Sequence, residues 1–114
     1  MSTRAGTRLS IGARSYLIEM WKDRCAYCGS PEWSSIDHII PWSFCADPQN
    51  FLRFGRGRRH LWNFALACAP CNSAKGNQFA DEFLSGDLDT LASVLAQVTL
   101  MRNDRDLPSG RRRG

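Results

Sequence analysis

The sequence predicts a small α+β domain held by a four-cysteine metal clamp and flanked by helices. Three observations carry that prediction. Two CxxC pairs, Cys25-Ala26-Tyr27-Cys28 and Cys68-Ala69-Pro70-Cys71, stand in distant parts of the chain. Two short β-type runs, Ile36 to Ile40 and Leu61 to Ala67, lie between them. Apolar residues at helical spacing precede the first pair and follow the second. At 114 residues the chain has the length of one domain. A domain of that size buries a limited core, and a metal or disulfides often supply the missing stability.

Taken in order, residues 1–12 are rich in Thr, Ser, Arg and Gly and are expected to form a flexible basic arm. Residues 13–104 are expected to form the domain. Ala13 to Arg24 sets Leu17, Ile18, Met20 and Trp21 among Glu19, Lys22 and Asp23, a short amphipathic helix leading into the first CxxC. Cys25 to Gly29 reads as a zinc knuckle in which Gly29 relaxes the tight turn. The first β-run ends at Pro41. Trp42 to His60 shows no periodicity and carries Pro48, Gly55 and Gly57, a long loop of the kind that is often functional. The second β-run leads to the second knuckle. A helix is expected from near Asn72 towards Leu84, with Gly76 its weak point. A last helix follows Asp87, a suitable cap, with Leu88, Leu91, Val94, Leu95 and Val98 at helical spacing. Residues 105–114, with Arg111-Arg112-Arg113, read as a disordered basic tail.

The formal net charge is +4 and the pI is near 9.0. That balance fits a polyanionic partner without requiring one. Met1 to Arg8 lacks the apolar stretch of a secretory signal. The apolar tract from Leu91 to Leu100 is short and interrupted by Ser93, Gln97 and Thr99, so no membrane span is expected. The reading is a soluble cytoplasmic protein, in which thiols stay reduced and paired CxxC motifs act as ligands rather than disulfides. Four thiolates at this spacing suit one tetrahedral Zn2+. A closed sulfur shell leaves no position for substrate, so that metal is structural. The alternatives are two unrelated pairs of thiols, or a redox site, which would use one CxxC beside a βαβ pattern that this chain lacks. Cys45 has no partner and is given no role.

Between the pairs lies Ile36-Asp37-His38-Ile39-Ile40-Pro41, then Trp62-Asn63-Phe64, and after the second pair Cys71-Asn72-Ser73-Ala74-Lys75-Gly76. In this order, from about Trp21 to Asn77, the chain resembles the zinc-containing HNH endonucleases. The resemblance implies a ββα-metal (His-Me finger) nuclease core, two strands and a helix gripping one divalent ion. It implies that Asp37 is a ligand of that ion and that His38 is the general base that activates water. Asn63 corresponds to the central asparagine, which holds the loop and orients the histidine. Asn72 takes the third signature position as the second protein ligand, making a His-Asn-Asn variant.

The chemistry of these side chains agrees. Phosphodiester hydrolysis needs a nucleophile, neutralisation of the phosphate and help for the leaving oxygen, and a divalent ion supplies the last two. Asp and Asn offer hard oxygen donors, which suit Mg2+ or Mn2+ better than zinc. Imidazole, with an ordinary pKa of about 6.5, can take a proton from water near neutrality. Each residue also has a simpler reading. Asp37 can be a surface carboxylate, His38 a structural histidine, Asn63 a hydrogen-bonding core residue and Asn72 a helix cap. A geometric condition also applies. Neighbours on an ideal strand point to opposite faces, so Asp37 and His38 serve one phosphate only if the strand bends or they reach it from different sides.

For substrate, the densest basic stretch is Phe51 to His60, with Arg53, Arg56, Arg58 and Arg59. Arginines there can pair with phosphate or form a solvated loop. Lys75, expected near the start of its helix, can contact phosphate or be solvated. Double-stranded DNA is the substrate the resemblance implies. No sequence-reading module is visible, so any sequence specificity would need a protein partner, a guide or a homodimer. The competing reading is a non-catalytic zinc module that binds nucleic acid or protein.

Overall fold

The computed structural model describes residues 9–41 and 61–104. Ser10 starts the first helix, α1 (Ile11–Met20), by accepting a hydrogen bond from the Ala13 N–H at 3.0 Å. The helix thus begins two residues before the expected start, at the residue that can cap it. It stops where Lys22 and Asp23 take φ of 59° and 56°, the left-handed region, and the Asp23 N–H reaches back to the Ile18 carbonyl at 2.7 Å. That reversal delivers the chain into the first knuckle. Gly29, with φ of 77°, closes the knuckle, its N–H on the Cys25 carbonyl at 2.9 Å.

Two antiparallel strands follow, β1 (Trp33–His38) and β2 (Phe64–Cys68). Ser35 faces Ala67, Ile36 faces Leu66, Asp37 faces Ala65 and His38 faces Phe64, with an irregularity between Trp33 and Ser35. The ladder ends earlier than the apolar run suggests. Ile39 and Ile40 bend away after His38, and Leu61 to Asn63 form a 3-10 turn instead of extending β2. The physical reason is Asn63. Its backbone carbonyl takes the Ile39 N–H at 2.8 Å, and its side chain takes over the pairing with Ile40.

Helix α2 (Ala69–Lys75) leaves β2 with no intervening loop, Pro70 sitting in its first turn where no N–H is needed. The single helix expected towards Leu84 is two. Gly76, at φ 52°, ends α2 with its N–H on the Asn72 carbonyl, and α3 (Ala80–Phe83) starts afresh. The last helix, α4 (Leu88–Arg102), is capped as expected by Asp87, whose carboxylate accepts from the Thr90 N–H at 3.1 Å and the Thr90 hydroxyl at 2.6 Å.

The order β1, β2, α2 is the ββα arrangement, in a small α+β fold. Its core gathers Leu17 of α1 and Trp21 just after it, Ile36 and Leu66 of the sheet, Leu84, and Val94 and Met101 of α4. The Trp21 indole N–H donates to the Phe64 carbonyl at 2.9 Å and fastens α1 to β2. Tyr16 donates to Asp104 at 2.8 Å and ties α1 to the end of α4. Among the described residues no helix is long and apolar enough to cross a membrane. Cys45 and the arginines Arg53, Arg56, Arg58 and Arg59 lie outside the described residues, as do the expected amino-terminal arm up to Thr7-Arg8 and the tail.

Candidate functional site

The two knuckles meet. The ligand atoms of Cys25, Cys28, Cys68 and Cys71 all lie within 4.8 Å of one another. A tetrahedral Zn2+ with sulfurs at about 2.3 Å spaces them about 3.8 Å apart, and the Cys28 and Cys68 sulfurs stand at 3.6 Å. A disulfide would bring them to about 2.05 Å, and all four cysteines are free. Burial, and then the neighbouring sulfurs, push the Cys71 thiol far above its ordinary range. Four sulfurs gathered at this spacing fit zinc, which binds them as thiolates. The backbone prepares the site. Ala26 N–H bonds the Leu66 carbonyl at 2.8 Å, pinning the first knuckle on β2, and Cys68 and Cys71 straddle the β2–α2 junction.

Beside this cluster is a second group of polar side chains, all buried. The Asp37 carboxylate accepts from the Tyr27 hydroxyl at 2.6 Å, and Lys75 Nζ lies 3.2 Å away, both on Oδ2. The same ammonium donates to the His38 carbonyl at 2.7 Å. Burial pushes the Asp37 carboxyl up, while Lys75 and Tyr27 pull it back. Burial and then the Asp37 charge hold the Tyr27 phenol well above its usual range, so Tyr27 keeps its proton and is the donor.

Asn72 stands one helical turn before Lys75 on α2 and is only 8% exposed. The single Ser35 hydroxyl hydrogen is spent on the Ala67 carbonyl at 3.3 Å, which leaves lone pairs for the Asn72 amide nitrogen at 3.3 Å. That bond sets the amide so that its oxygen, Oδ1, takes no hydrogen-bond partner among the described residues. Asn72 thus bonds the strand face that carries Asp37, and its buried amide oxygen is left without a donor among the described residues.

His38 ends β1. Its ring meets the Phe64 ring edge-on, 4.9 Å between centroids. The ladder runs through His38, so the strand does not bend between it and Asp37. The two side chains leave on opposite faces, and the bend follows at Ile39 and Ile40. Asn63 accepts from the Ile40 N–H at 2.7 Å and donates to the Ile40 carbonyl at 3.2 Å, closing the chain behind His38.

Lys75 departs from its expected position. It lies in the last turn of α2, not near the start, and is 1% exposed. Its ammonium is committed to Asp37 and the His38 carbonyl, so it neither faces solvent nor is presented to a phosphate. The four arginines expected to hold substrate lie outside the described residues. Tyr27 and Ser35 went unremarked in the sequence, although both carried a signal. Tyr27 sits inside the first CxxC, and Ser35 precedes Asp37 by the two-residue period of a strand face.

Residues 25–78 match the family model described as HNH endonuclease. No curated protein matches the chain.

Proposed function

We propose, from the premise that residues 25–78 of this chain belong to the HNH endonuclease family, that the protein is a metal-dependent DNA endonuclease hydrolysing phosphodiester bonds. The observation that supports this most is the bridge made by Lys75. One buried ammonium holds both the Asp37 carboxylate and the His38 carbonyl, while Asn72 on the same helix bonds Ser35 on the Asp37 face. Helix α2 is thereby fastened to the strand that carries Asp37 and His38, which supports the reading.

In this reading Asp37 and Asn72 hold one Mg2+ or Mn2+. When bound, that ion neutralises charge on the phosphate and assists departure of the 3′ oxygen. His38 takes the proton from the attacking water, and it reaches the phosphate from the opposite side of the strand end to Asp37. Asn63 keeps the backbone behind His38 in place. The four cysteines hold Zn2+ and take no part in the reaction. Products carry 5′-phosphate and 3′-hydroxyl ends, as the family resemblance implies. Arg53, Arg56, Arg58 and Arg59 pair with backbone phosphates of duplex DNA. One site cuts one strand, so a monomer nicks, and sequence specificity comes from a partner protein or a homodimer. Reduced thiols match a cytoplasmic setting.

The test is nicking of a supercoiled plasmid with Mg2+ or Mn2+, comparing the parent with His38→Ala. The parent converts the plasmid to open circle. His38→Ala is slower by about 10²- to 10⁴-fold, the usual contribution of a general base. Parent activity declines on acidification through the imidazole titration, and the residual activity of the variant lacks that decline. Equal cleavage by both proteins removes His38 from the mechanism. DNA binding without cutting under any divalent ion leaves a zinc-dependent binding module instead.

A further inference from the structure

The two candidate metal centres share a residue that belongs to neither. Tyr27 is the second residue between the paired cysteines of the first knuckle, and its backbone N–H lies 3.4 Å from the Cys25 sulfur. Its ring is buried edge-on against Phe83, 5.4 Å between centroids at 86°. Its hydroxyl ends on Asp37 Oδ2 at 2.6 Å. Lys75 approaches the same oxygen at 3.2 Å. Two donors converging on one carboxylate oxygen fix the rotation of the group, and with it the direction offered to a cation. Lys75 is anchored on α2 and on the His38 carbonyl. Tyr27 is anchored by the knuckle, whose shape depends on how Cys25 and Cys28 are tied.

We infer that Tyr27 is a positioning residue that couples the four-cysteine centre to Asp37. A metal on the sulfurs fixes the turn from Cys25 to Cys28, the turn fixes the phenol, and the phenol aims the carboxylate that receives the divalent ion. The zinc therefore sets the affinity of a second site it does not touch. By linkage, a cation arriving at Asp37 is felt at Tyr27. This rests on the assignment of Asp37 as a ligand of the divalent ion.

The experiment uses the full-length zinc-loaded protein. Mn2+ affinity is measured by electron paramagnetic resonance for the parent, Tyr27→Phe and Asp37→Ala, with zinc content determined on each sample. The Phe variant keeps the ring against Phe83 and loses only the hydroxyl. It is expected to retain one zinc and to bind Mn2+ about tenfold or more weakly, the usual cost of removing a group that orients a ligand. Asp37→Ala is expected to abolish binding at that site. A Tyr27→Phe protein that binds Mn2+ like the parent, alongside an Asp37→Ala protein that does not bind, overturns the coupling and leaves the site intact. An Asp37→Ala protein that binds like the parent overturns the ligand assignment, and the coupling with it.

Should Tyr27→Phe fail to retain zinc, a second measurement decides. The chain has two tyrosines, Tyr16 and Tyr27, so protein made with 3-fluorotyrosine gives two fluorine signals. Added Mg2+ is expected to shift the Tyr27 signal and leave Tyr16, bonded to Asp104, unmoved. No shift, or equal shifts at both, overturns the proposal.

Discussion

Lys75 is a long cation with its whole side chain inside a small domain, and that position must be explained at the scale of the residue. Burying an ammonium is costly unless it is paired and hydrogen-bonded. Here the Asp37 carboxylate and the His38 carbonyl meet it. Removing one partner leaves the other charge stranded, so Lys75→Met is expected to destabilise the protein by about 3–5 kcal/mol, read from urea unfolding. Adding Asp37→Asn to that variant should return part of the loss, because no buried charge then remains unpaired. If the single variant is as stable as the parent, the pair does not hold the strand to the helix. At this scale the sequence was legible for residue types whose chemistry is specific. Asp37 and His38 fall on the strand, and Asn72 on the helix, that the sequence leads one to expect. The contacts of Lys75, Tyr27 and Ser35 were not legible, because a lysine, a tyrosine or a serine acquires its role only from what packs around it. Nothing in Cys71-Asn72-Ser73-Ala74-Lys75 says that the last residue turns inward.

Elements were legible where capping and periodicity agree, and less so where a side chain replaces the backbone. Asp87 and the apolar spacing after it located α4, and the capping bonds to Thr90 explain why. Gly76 was visible as a weak point, yet whether it bends a helix or ends it depends on φ, and at 52° it ends it. The run Leu61 to Ala67 looked like one strand because its first residues are as apolar as its last. Asn63 interrupts it by acting as a pseudo-strand. Its amide oxygen and nitrogen meet the N–H and carbonyl of Ile40, as a backbone neighbour would. Asn63→Asp keeps the shape and replaces the donor with an acceptor, setting oxygen against the Ile40 carbonyl in a buried position. A loss of about 1–3 kcal/mol is expected. Since the affected segment follows His38 directly, the plasmid-nicking rate should fall further than stability alone accounts for at temperatures where the variant is folded. An Asn63→Asp protein with parental stability and rate would show that the side-chain bridge holds nothing.

At the scale of the molecule, the elements that build the site are short. Among the described residues the sheet has two strands, and a lone two-stranded hairpin is marginal in water. Helix α2 has seven residues and α3 has four. Among the described residues the core includes four alanines, Ala13, Ala65, Ala67 and Ala80, beside the larger Leu17, Leu61 and Leu66. Alanine packs closely but removes little apolar surface from water. The four-cysteine cluster joins the first knuckle, which carries Tyr27, to the start of α2, the helix whose last turn carries Lys75 to Asp37. Structural zinc in small domains contributes on the order of 10 kcal/mol to folding, comparable with the whole stability of a domain. The zinc and the proposed divalent ion should therefore be separable by what their removal does. Washing out Mg2+ is expected to stop cleavage, leave the circular dichroism spectrum unchanged and be reversed by adding the ion back. Stripping zinc with a thiol-competitive chelator is expected to abolish near-ultraviolet dichroism and much of the helical signal in one cooperative step, with activity lost in parallel. A protein that retained its tertiary spectrum after its zinc content had fallen to zero would show that the hairpin and helices stand without the clamp. The cluster would then be a binding site rather than part of the frame.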